Sequence, residues 1–194
     1  MKHAICTRFK FEEDNFELMA KYAEICKVIL IPQLNKQTNK NFDWLLYTNP
    51  KHDDWIKEHL TGYTYTIIHD LKNEFANMGY NIQTRHDIDD WMHEVYVQSI
   101  QESIALSNYD KCLVHVNLIL AQYETRQTML YPVYHSRHTS SFLTMYQKEI
   151  NPELYVYMDE HTKMWQYVPD IIELPIGMCM QIKHSNNLSG KAKT

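Results

Sequence analysis

The sequence contains little that would favour a disordered, secreted or membrane-embedded protein. Its 194 residues include four glycines and six prolines, with no internal repeat and no low-complexity tract, which argues against a linker-rich chain. The longest apolar runs, such as residues 28–31, are far shorter than the roughly 20 residues that span a bilayer. The first residues lack the apolar core of a secretory signal. We therefore expect a cytoplasmic protein with no transmembrane segment.

Paired cysteines and a basic patch are also missing. Cys6, Cys26, Cys112 and Cys179 are scattered through apolar runs without a C-x-x-C pair, which predicts buried, reduced thiols and argues against a zinc site. The formal net charge is −5, and Lys and Arg are dispersed along the chain. This charge pattern gives no positive reason to invoke nucleic acid and leaves that class of partner open.

What the sequence does contain is an alternation of strand and helix patterns in its first third. Strands are predicted over residues 3–9, 42–48 and 63–68, and helices over residues 14–26 and 53–60. This alternation predicts an α/β fold of the Rossmann-like type, with a mostly parallel central sheet flanked by helices. Ligands of such sheets bind at the carboxyl ends of the strands, where Thr7-Arg8, Thr48-Asn49 and His69-Asp70 lie.

The second half gives shorter patterns. An apolar stripe of Met92, Tyr96, Ile100 and Ile104 predicts a helix over residues 90–107. The remaining runs predict a buried strand over residues 111–122, a helix over residues 140–148, and strands over 127–134, 154–158, 171–174 and 178–183.

The acidic run Asp87-Ile88-Asp89-Asp90 is the main chemical feature. In an extended segment Asp87 and Asp89 would point to the same side, and Asp90 would begin the following helix. Carboxylates this close repel one another unless a cation or a helix N-terminus stabilises them, and such hard oxygen ligands suit Mg²⁺ or Mn²⁺. The alternative is that Asp89 or Asp90 only caps the helix, with the others solvated.

Several segments, taken in order, resemble a known family. They are Thr7-Arg8-Phe9; Ile31-Pro32-Gln33-Leu34 with Gln37-Thr38; Asn41-Phe42-Asp43-Trp44; Thr84-Arg85-His86-Asp87-Ile88-Asp89-Asp90; and Met180-Gln181-Ile182-Lys183-His184 with Asn187. Together they resemble the rhamnosyltransferase family of nucleotide-sugar transferases with the GT-A fold, whose patterns read "LPSL…QT…NFxW", "TRxDxDD" and "xQVxHGxN". This chain departs from them at Gln33, which stands for a serine, and at Ser185-Asn186, which stand for a glycine.

The resemblance implies roles for particular residues. It implies one GT-A-like domain over residues 1–184, with a flexible tail over 185–194. The metal site would comprise Asp87, Asp89, Asp90 and His184, with Asp89 as the first choice for a direct ligand. Asp87 is also a candidate for the donor nucleoside, and the alternative for His184 is an exposed tail histidine.

The implied donor-binding set is Thr7, Arg8, Arg85 and Asp87, with the arginines on the diphosphate; either arginine is alternatively a structural ion-pair partner. Asp159 and Glu160 are candidates for the general base, and the alternative for them is a cap of the helix predicted after residue 161.

The resemblance therefore implies a metal-dependent glycosyltransferase. It would move a sugar, with rhamnose as one candidate, from a nucleotide-sugar donor to a glycan or other hydroxyl acceptor, with inversion. Two other classes remain open: a metal-dependent phosphohydrolase or nuclease that adds Asp70 to the acidic cluster, and a non-catalytic binding module. Residues 134–138, with His135 and His138, are predicted to be a polar loop, with acceptor contact as the functional alternative.

Overall fold

A computed structural model describes residues 1–116, 118–122, 125–131 and 142–183. The first part of the chain alternates strands and helices: β1 (His3–Phe9), α1 (Phe16–Val28), α2 (Leu30–Lys36), β2 (Asp43–Thr48), α3 (Asp53–His59), β3 (Thr66–Ile68), α4 (Leu71–Met78) and β4 (Ile82–Arg85). The second part is richer in strands: β5 (Trp91–Met92), α5 (Tyr96–Leu106), β6 (Lys111–Val116), β7 (Leu118–Gln122), β8 (Gln127–Tyr131), β9 (Thr144–Gln147), β10 (Ile171–Leu174) and β11 (Cys179–Lys183). Short 3₁₀ helices cover Pro50–His52 and His161–Gln166.

The central sheet has seven strands in the order β10-β6-β9-β4-β1-β2-β3. β1 pairs in parallel with β2 and β4, β2 with β3, and β6 with β10. β9 runs antiparallel to both of its neighbours, β4 and β6. The prediction of an α/β fold with a mostly parallel central sheet is confirmed.

The two faces of this sheet carry separate apolar clusters. Alternate residues of β1 divide between them: Ile5 and Phe9 belong to one cluster, and Ala4 and Cys6 to the other. The first cluster includes the apolar residues of α1, α2 and α5, and the second includes Phe75 of α4. Because both faces of β1 are covered by apolar side chains, packing fixes the position of its carboxyl end and of the residues that follow Phe9.

A second sheet of four strands, in the order β5-β11-β7-β8, lies beside the central one. Trp91 and Met92 of β5 pair antiparallel with Met180 and Cys179 of β11. β5 follows the acidic run directly in the chain, so the small sheet fixes the position of that run.

Three secondary-structure predictions are wrong. The helix expected over residues 90–107 begins at Tyr96, because residues 91–92 pair with β11 and the Met92 amide donates to the Gln33 side-chain oxygen at 2.7 Å. The predicted helix over residues 140–148 contains β9, held between β4 and β6. Residues 154–158, expected as a strand, lie in turns and bends.

Other expectations have different outcomes within the described residues. All four cysteines are free and buried. The predicted strand over residues 111–122 exists as two strands, β6 in the central sheet and β7 in the small one. No helix in the described part of the chain is long and apolar enough to cross a membrane. The predicted tail over 185–194 lies outside the described residues.

Candidate active site

Four parallel strands end at one edge of the central sheet. β1 ends at Phe9, β2 at Thr48, β3 at Ile68 and β4 at Arg85. The chain steps outward from β1 to β2 and β3, then returns to the other side of β1 to form β4. This reversal of strand order opens a crevice between the carboxyl ends of β1 and β4, the place where open α/β sheets bind ligands.

A cleft of about 370 Å³ occupies that crevice. Its walls come from the end of β1 and the residues after it, from the end of β4 and the acidic run, and from one residue each of α1 and β11: Arg8, Lys10, Phe11, Tyr22, Arg85, Asp87, Ile88, Asp89, Asp90 and Gln181. The cleft therefore combines three basic side chains with three carboxylates, a composition suited to a phosphorylated ligand with a cation.

The acidic run forms a tight turn. The Asp90 backbone N–H donates to the Asp87 carbonyl at 3.4 Å, with Ile88 and Asp89 at the centre of the turn. The extended segment expected from the sequence is therefore absent here, yet all three aspartates still line the cleft. Ile88 is buried against the main apolar cluster, which anchors the turn.

The three carboxylates have different surroundings. Asp87 is half-buried, Asp89 is 7% exposed and Asp90 is 2% exposed. Asp90 Oδ1 accepts a hydrogen bond from the Ile182 backbone N–H of β11 at 3.0 Å. Asp90 does not lie at a helix start, because α5 begins at Tyr96. Its backbone contact ties the turn to the small sheet.

The donor chemistry of the turn fits a hard divalent cation in part. Asp87 and Asp89 line the cleft, and carboxylate oxygens are the ligands that Mg²⁺ and Mn²⁺ prefer. Within the described ranges, no group of three or more His, Cys, Asp or Glu side chains is arranged to hold a metal. His184, the predicted fourth ligand, lies outside those ranges. The remaining ligands would have to come from a substrate diphosphate, water or residues beyond the described part of the chain.

His86 stabilises the turn from behind. Its Nδ1–H donates to the Asp87 carbonyl at 2.8 Å, and its backbone N–H donates to the Cys6 carbonyl of β1 at 3.0 Å. Burial lowers the pKa of His86 to about 4, so the ring is neutral near pH 7. A neutral ring in this tautomer holds the Asp87 backbone in place and adds no charge to the site.

Arg85 faces the cleft from the end of β4. Its guanidinium carbon lies 4.9 Å from the centre of the Tyr157 ring, and its Nε is buried without a hydrogen-bond partner. Among the described residues, no carboxylate lies within 4.0 Å of the guanidinium of Arg8 or Arg85. The alternative of a structural ion pair for either arginine therefore finds no support in this part of the chain.

Arg8 also lines a second cleft, of about 440 Å³, at the carboxyl ends of β1, β2 and β3. The walls of this second cleft are Arg8, Tyr47, His69, Asp70, Leu71, Lys72, Tyr155 and Tyr157. The expectation that His69-Asp70 would lie at a strand end is confirmed. Asp70 itself caps α4, since its Oδ1 accepts from the Asn73 backbone N–H at 3.1 Å.

Two sets of predicted site residues lie away from the cleft. Thr7 is fully buried, and its hydroxyl accepts a hydrogen bond from the Trp44 indole at 3.0 Å. This contact gives Thr7 a structural role in joining β1 to β2, because alternation along β1 turns its side chain away from Arg8. Its predicted contact with a donor finds no support in this arrangement.

Asp159 and Glu160 lie at the start of the 3₁₀ helix, and neither is among the described residues that line the two clefts. Asp159 accepts hydrogen bonds from the Glu160 backbone N–H at 2.7 Å and from the Tyr167 hydroxyl at 3.0 Å. These hydrogen bonds lower the pKa of Asp159. Glu160 is exposed, and its carboxylate lies 3.2 Å from Lys163 Nζ. Their role as a base stays a prediction.

Sequence reasoning missed several residues of the two clefts. Lys10 and Phe11 follow β1 directly, and Gln181 lies inside the segment quoted for the family resemblance, so signals for all three were present. Tyr157 had no local signal, since its contact with Arg85 joins residues 72 positions apart in the sequence. The loop over residues 134–138 lies outside the described residues.

Comparisons with known proteins concern the family and the fold. The sequence model of a family described as "Putative rhamnosyl transferase" matches residues 8–194. Comparison with curated protein sequences finds no significant match.

Among solved structures, the fold is similar to that of S. aureus TarS. One TarS structure is 10% identical with a TM-score of 0.57, over 94% of this chain and 37% of that chain. TarS 1-349 in complex with UDP-GlcNAc is 10% identical with a TM-score of 0.58, over 100% of this chain and 62% of that chain. TarS 1-349 in complex with UDP is 11% identical with a TM-score of 0.53, over 94% of this chain and 61% of that chain. This chain thus spans between 37% and 62% of these TarS chains, and at such identities the likeness concerns the fold.

Proposed function

The chain belongs to the rhamnosyl transferase family, and on that premise we propose that it transfers a sugar from a nucleotide-sugar donor to a hydroxyl group of a glycan or similar acceptor. We include in the proposal a divalent cation, Mn²⁺ or Mg²⁺, and inversion at the transferred carbon. The family name makes rhamnose the first sugar to test. Residues 1–184 would form the donor-binding domain.

The observation that carries the proposal is the meeting of Arg8, Arg85 and the Asp87–Asp90 turn in one cleft at the switch point of the sheet. Two arginines without a carboxylate partner among the described residues offer planar donors to phosphate oxygens. Such residues next to acidic side chains favour a ligand that is an anion and also carries a cation. A nucleoside diphosphate with its metal ion has both properties.

The two adjoining clefts suggest how a donor would lie. Arg8 lines both, so a diphosphate held by Arg8 and Arg85 would place its nucleoside toward the second cleft. Tyr47 and Tyr155 in that cleft offer aromatic surfaces for a base or a ribose. The sugar would then lie near the acidic turn and Gln181.

Asp87 and Asp89 are the residues that would hold the metal, with further oxygens supplied by the diphosphate. When bound, the cation would neutralise charge that develops on the departing nucleoside diphosphate. Arg85 would add a fixed positive charge to the same leaving group. His86 would keep the turn in register, because its hydrogen bond fixes the Asp87 carbonyl.

Inverting transfer also requires a base for the acceptor hydroxyl. We keep Asp159 and Glu160 in that role as candidates. The contacts of Asp159 keep it ionised, so it accepts protons at neutral pH, and they also make it a weaker base. Its variant Asp159→Asn should lower turnover without changing donor affinity if the assignment is right.

The phosphohydrolase alternative receives less support. Asp70, the extra carboxylate it requires, is engaged in capping α4 and lines the second cleft instead of the acidic one. The non-catalytic alternative is separated from the proposal by an assay, since a competent site slowly hydrolyses its own nucleotide sugar.

Calorimetric titration of UDP, dTDP and GDP, each with and without Mn²⁺, tests the proposal and identifies the nucleotide. We expect one diphosphate to bind with an affinity that Mn²⁺ increases. Incubation with the matching nucleotide sugar should then release the diphosphate slowly. Absence of binding by every diphosphate in both conditions would refute the proposed function.

A further inference from the structure

Tyr157 lies between the two clefts and presents its ring to Arg85. The guanidinium carbon of Arg85 is 4.9 Å from the ring centre, within the range of a cation–π contact. Tyr157 itself lines the second cleft, while Arg85 lines the acidic one. The contact therefore joins the walls of two neighbouring cavities through one pair of side chains.

The Tyr157 ring is held in place by the central sheet. Its hydroxyl donates a hydrogen bond to the Cys6 carbonyl of β1 at 3.0 Å. The same carbonyl accepts the His86 backbone N–H at 3.0 Å, immediately after β4. Tyr157 and the start of the acidic turn thus share one anchor on the central strand of the crevice, so the position of the ring relative to the turn is fixed.

Arg85, which is half-buried, lacks the contacts that usually orient an arginine side chain. Its Nε is buried without a hydrogen-bond partner, and none of the described carboxylates lies within ion-pair distance. Its identified side-chain contact is the aromatic face of Tyr157. An aromatic face attracts the cation and leaves its in-plane N–H groups unused, so they stay available to an anion in the cleft.

We propose that Tyr157 is a positioning residue that holds the Arg85 guanidinium ready for the distal phosphate of a nucleoside diphosphate. This inference rests on the proposed function and adds to it a residue from a distant part of the chain. Tyr157 acts through Arg85 and makes no contact with the diphosphate itself. Its contribution should therefore disappear when Arg85 is removed or when the ligand has no distal phosphate.

Two ring replacements keep the shape of the site. Tyr157→Phe keeps the aromatic face and removes the hydroxyl that bonds to Cys6. Replacement of Tyr157 by pentafluorophenylalanine also lacks this hydroxyl and reverses the electrostatic face of the ring, so its difference from Tyr157→Phe reports the attraction to a cation. Tyr157→Leu removes the ring altogether, and Arg85→Gln removes the charge.

The measurement is the dissociation constant of UDP, dTDP or GDP, whichever binds best to the unmodified protein, beside that of its monophosphate. Tyr157→Leu and the fluorinated ring should weaken binding of the diphosphate about tenfold and leave binding of the monophosphate nearly unchanged. Tyr157→Phe should stay within about threefold of the unmodified protein. In the Arg85→Gln background, Tyr157→Leu should have no further effect, because the two residues act as a unit.

Different failures have different meanings. Equal weakening of mono- and diphosphate by the fluorinated ring, or additive effects of Tyr157→Leu and Arg85→Gln, would overturn the positioning role while the proposed function stood. If the unmodified protein binds no nucleoside diphosphate, the proposed function and this inference both fail. If Tyr157→Leu does not fold, the fluorinated ring gives the same comparison without a cavity.

Discussion

The Asp90 carboxylate accepts a hydrogen bond from the Ile182 backbone N–H at 3.0 Å, across 92 positions of sequence. Asp90 is 2% exposed, and this partly buried bond joins the acidic turn to β11. The contact means that one of the three aspartates in the run also supports the fold. The role of Asp90 therefore differs from that proposed for Asp89, although the two are neighbours in the chain.

We predict that Asp90→Ala lowers the free energy of unfolding by about 1–3 kcal/mol, because the Ile182 N–H loses the Asp90 carboxylate as its acceptor in a partly buried position. Asp90→Asn keeps an acceptor oxygen and should retain more of that stability. Urea denaturation followed by circular dichroism measures both variants. Equal stability of Asp90→Ala and the unmodified protein would contradict this role.

His3 gives a prediction about acid. The Gln101 side-chain amide donates to His3 Nδ1 at 3.2 Å, so the ring is neutral and its Nε2–H donates to the Thr84 hydroxyl at 2.8 Å. Burial lowers the pKa of His3 to about 3, against 6.5 for an ordinary histidine. Between these two values the unfolded chain binds a proton that the folded protein does not.

The contribution of neutral His3 to the free energy of unfolding should therefore be fully present above about pH 6.5 and should fall as the pH decreases below it. His3 and the similarly buried His86 should each contribute about 1 kcal/mol of loss between pH 6.5 and 5.5. Urea titrations at several pH values, on the unmodified protein and on His3→Gln, measure the slope. In His3→Gln, the change of the free energy of unfolding with pH should be smaller by the contribution of one histidine. An unchanged pH dependence would contradict the assignment.

The cysteines should be inert in the folded protein. Cys6, Cys26, Cys112 and Cys179 are free and fully buried, and burial raises the pKa of both Cys26 and Cys112 to about 12. A thiol reagent reacts with the thiolate, so neither access nor ionisation favours labelling. We expect no rapid labelling in buffer and four equivalents in urea. Fast labelling of any thiol in the native protein would contradict the buried placement.

Local patterns were sufficient to predict part of the carboxyl edge of the sheet. Strand and helix periodicities within residues 1–68 placed Arg8, Asn49 and His69 near strand ends, because a parallel α/β unit is specified by short-range alternation. Patterns failed where distant segments decided the structure. The two-residue strand β5 exists because β11 pairs with it and because Gln33 accepts the Met92 amide.

The same reasoning explains what was missed in the site. Tyr157 lies in turns that have no regular periodicity, and its role depends on contacts with Cys6 and Arg85. No pattern around residue 157 carries that information. By contrast, Thr7 was placed in the donor-binding set because the family resemblance includes Thr7-Arg8-Phe9, whereas alternation along β1 directs its side chain toward Trp44. Side chains of neighbouring residues in a strand point to opposite faces of the sheet, so their surroundings differ.

The central prediction concerns Asp89, which lines the acidic cleft beside Asp87. If both carboxylates hold a divalent cation, Asp89→Ala should abolish the Mn²⁺-dependent part of nucleoside diphosphate binding without unfolding the protein. Asp54→Ala is a matched control, because Asp54 is a fully exposed carboxylate of α3 with a loose contact of 3.7 Å to Lys57. It should leave both Mn²⁺ dependence and stability unchanged.

Calorimetry with and without Mn²⁺ on the three proteins, together with thermal unfolding, separates the possible outcomes. A metal role requires that Mn²⁺ strengthens diphosphate binding by the unmodified protein and by Asp54→Ala, and that this Mn²⁺ effect is lost in Asp89→Ala. If Asp89→Ala keeps the full Mn²⁺ effect, the cation does not bind at this turn. The leaving diphosphate would then depend on Arg8, Lys10 and Arg85 for stabilisation, since these are the cationic side chains that line the cleft among the described residues.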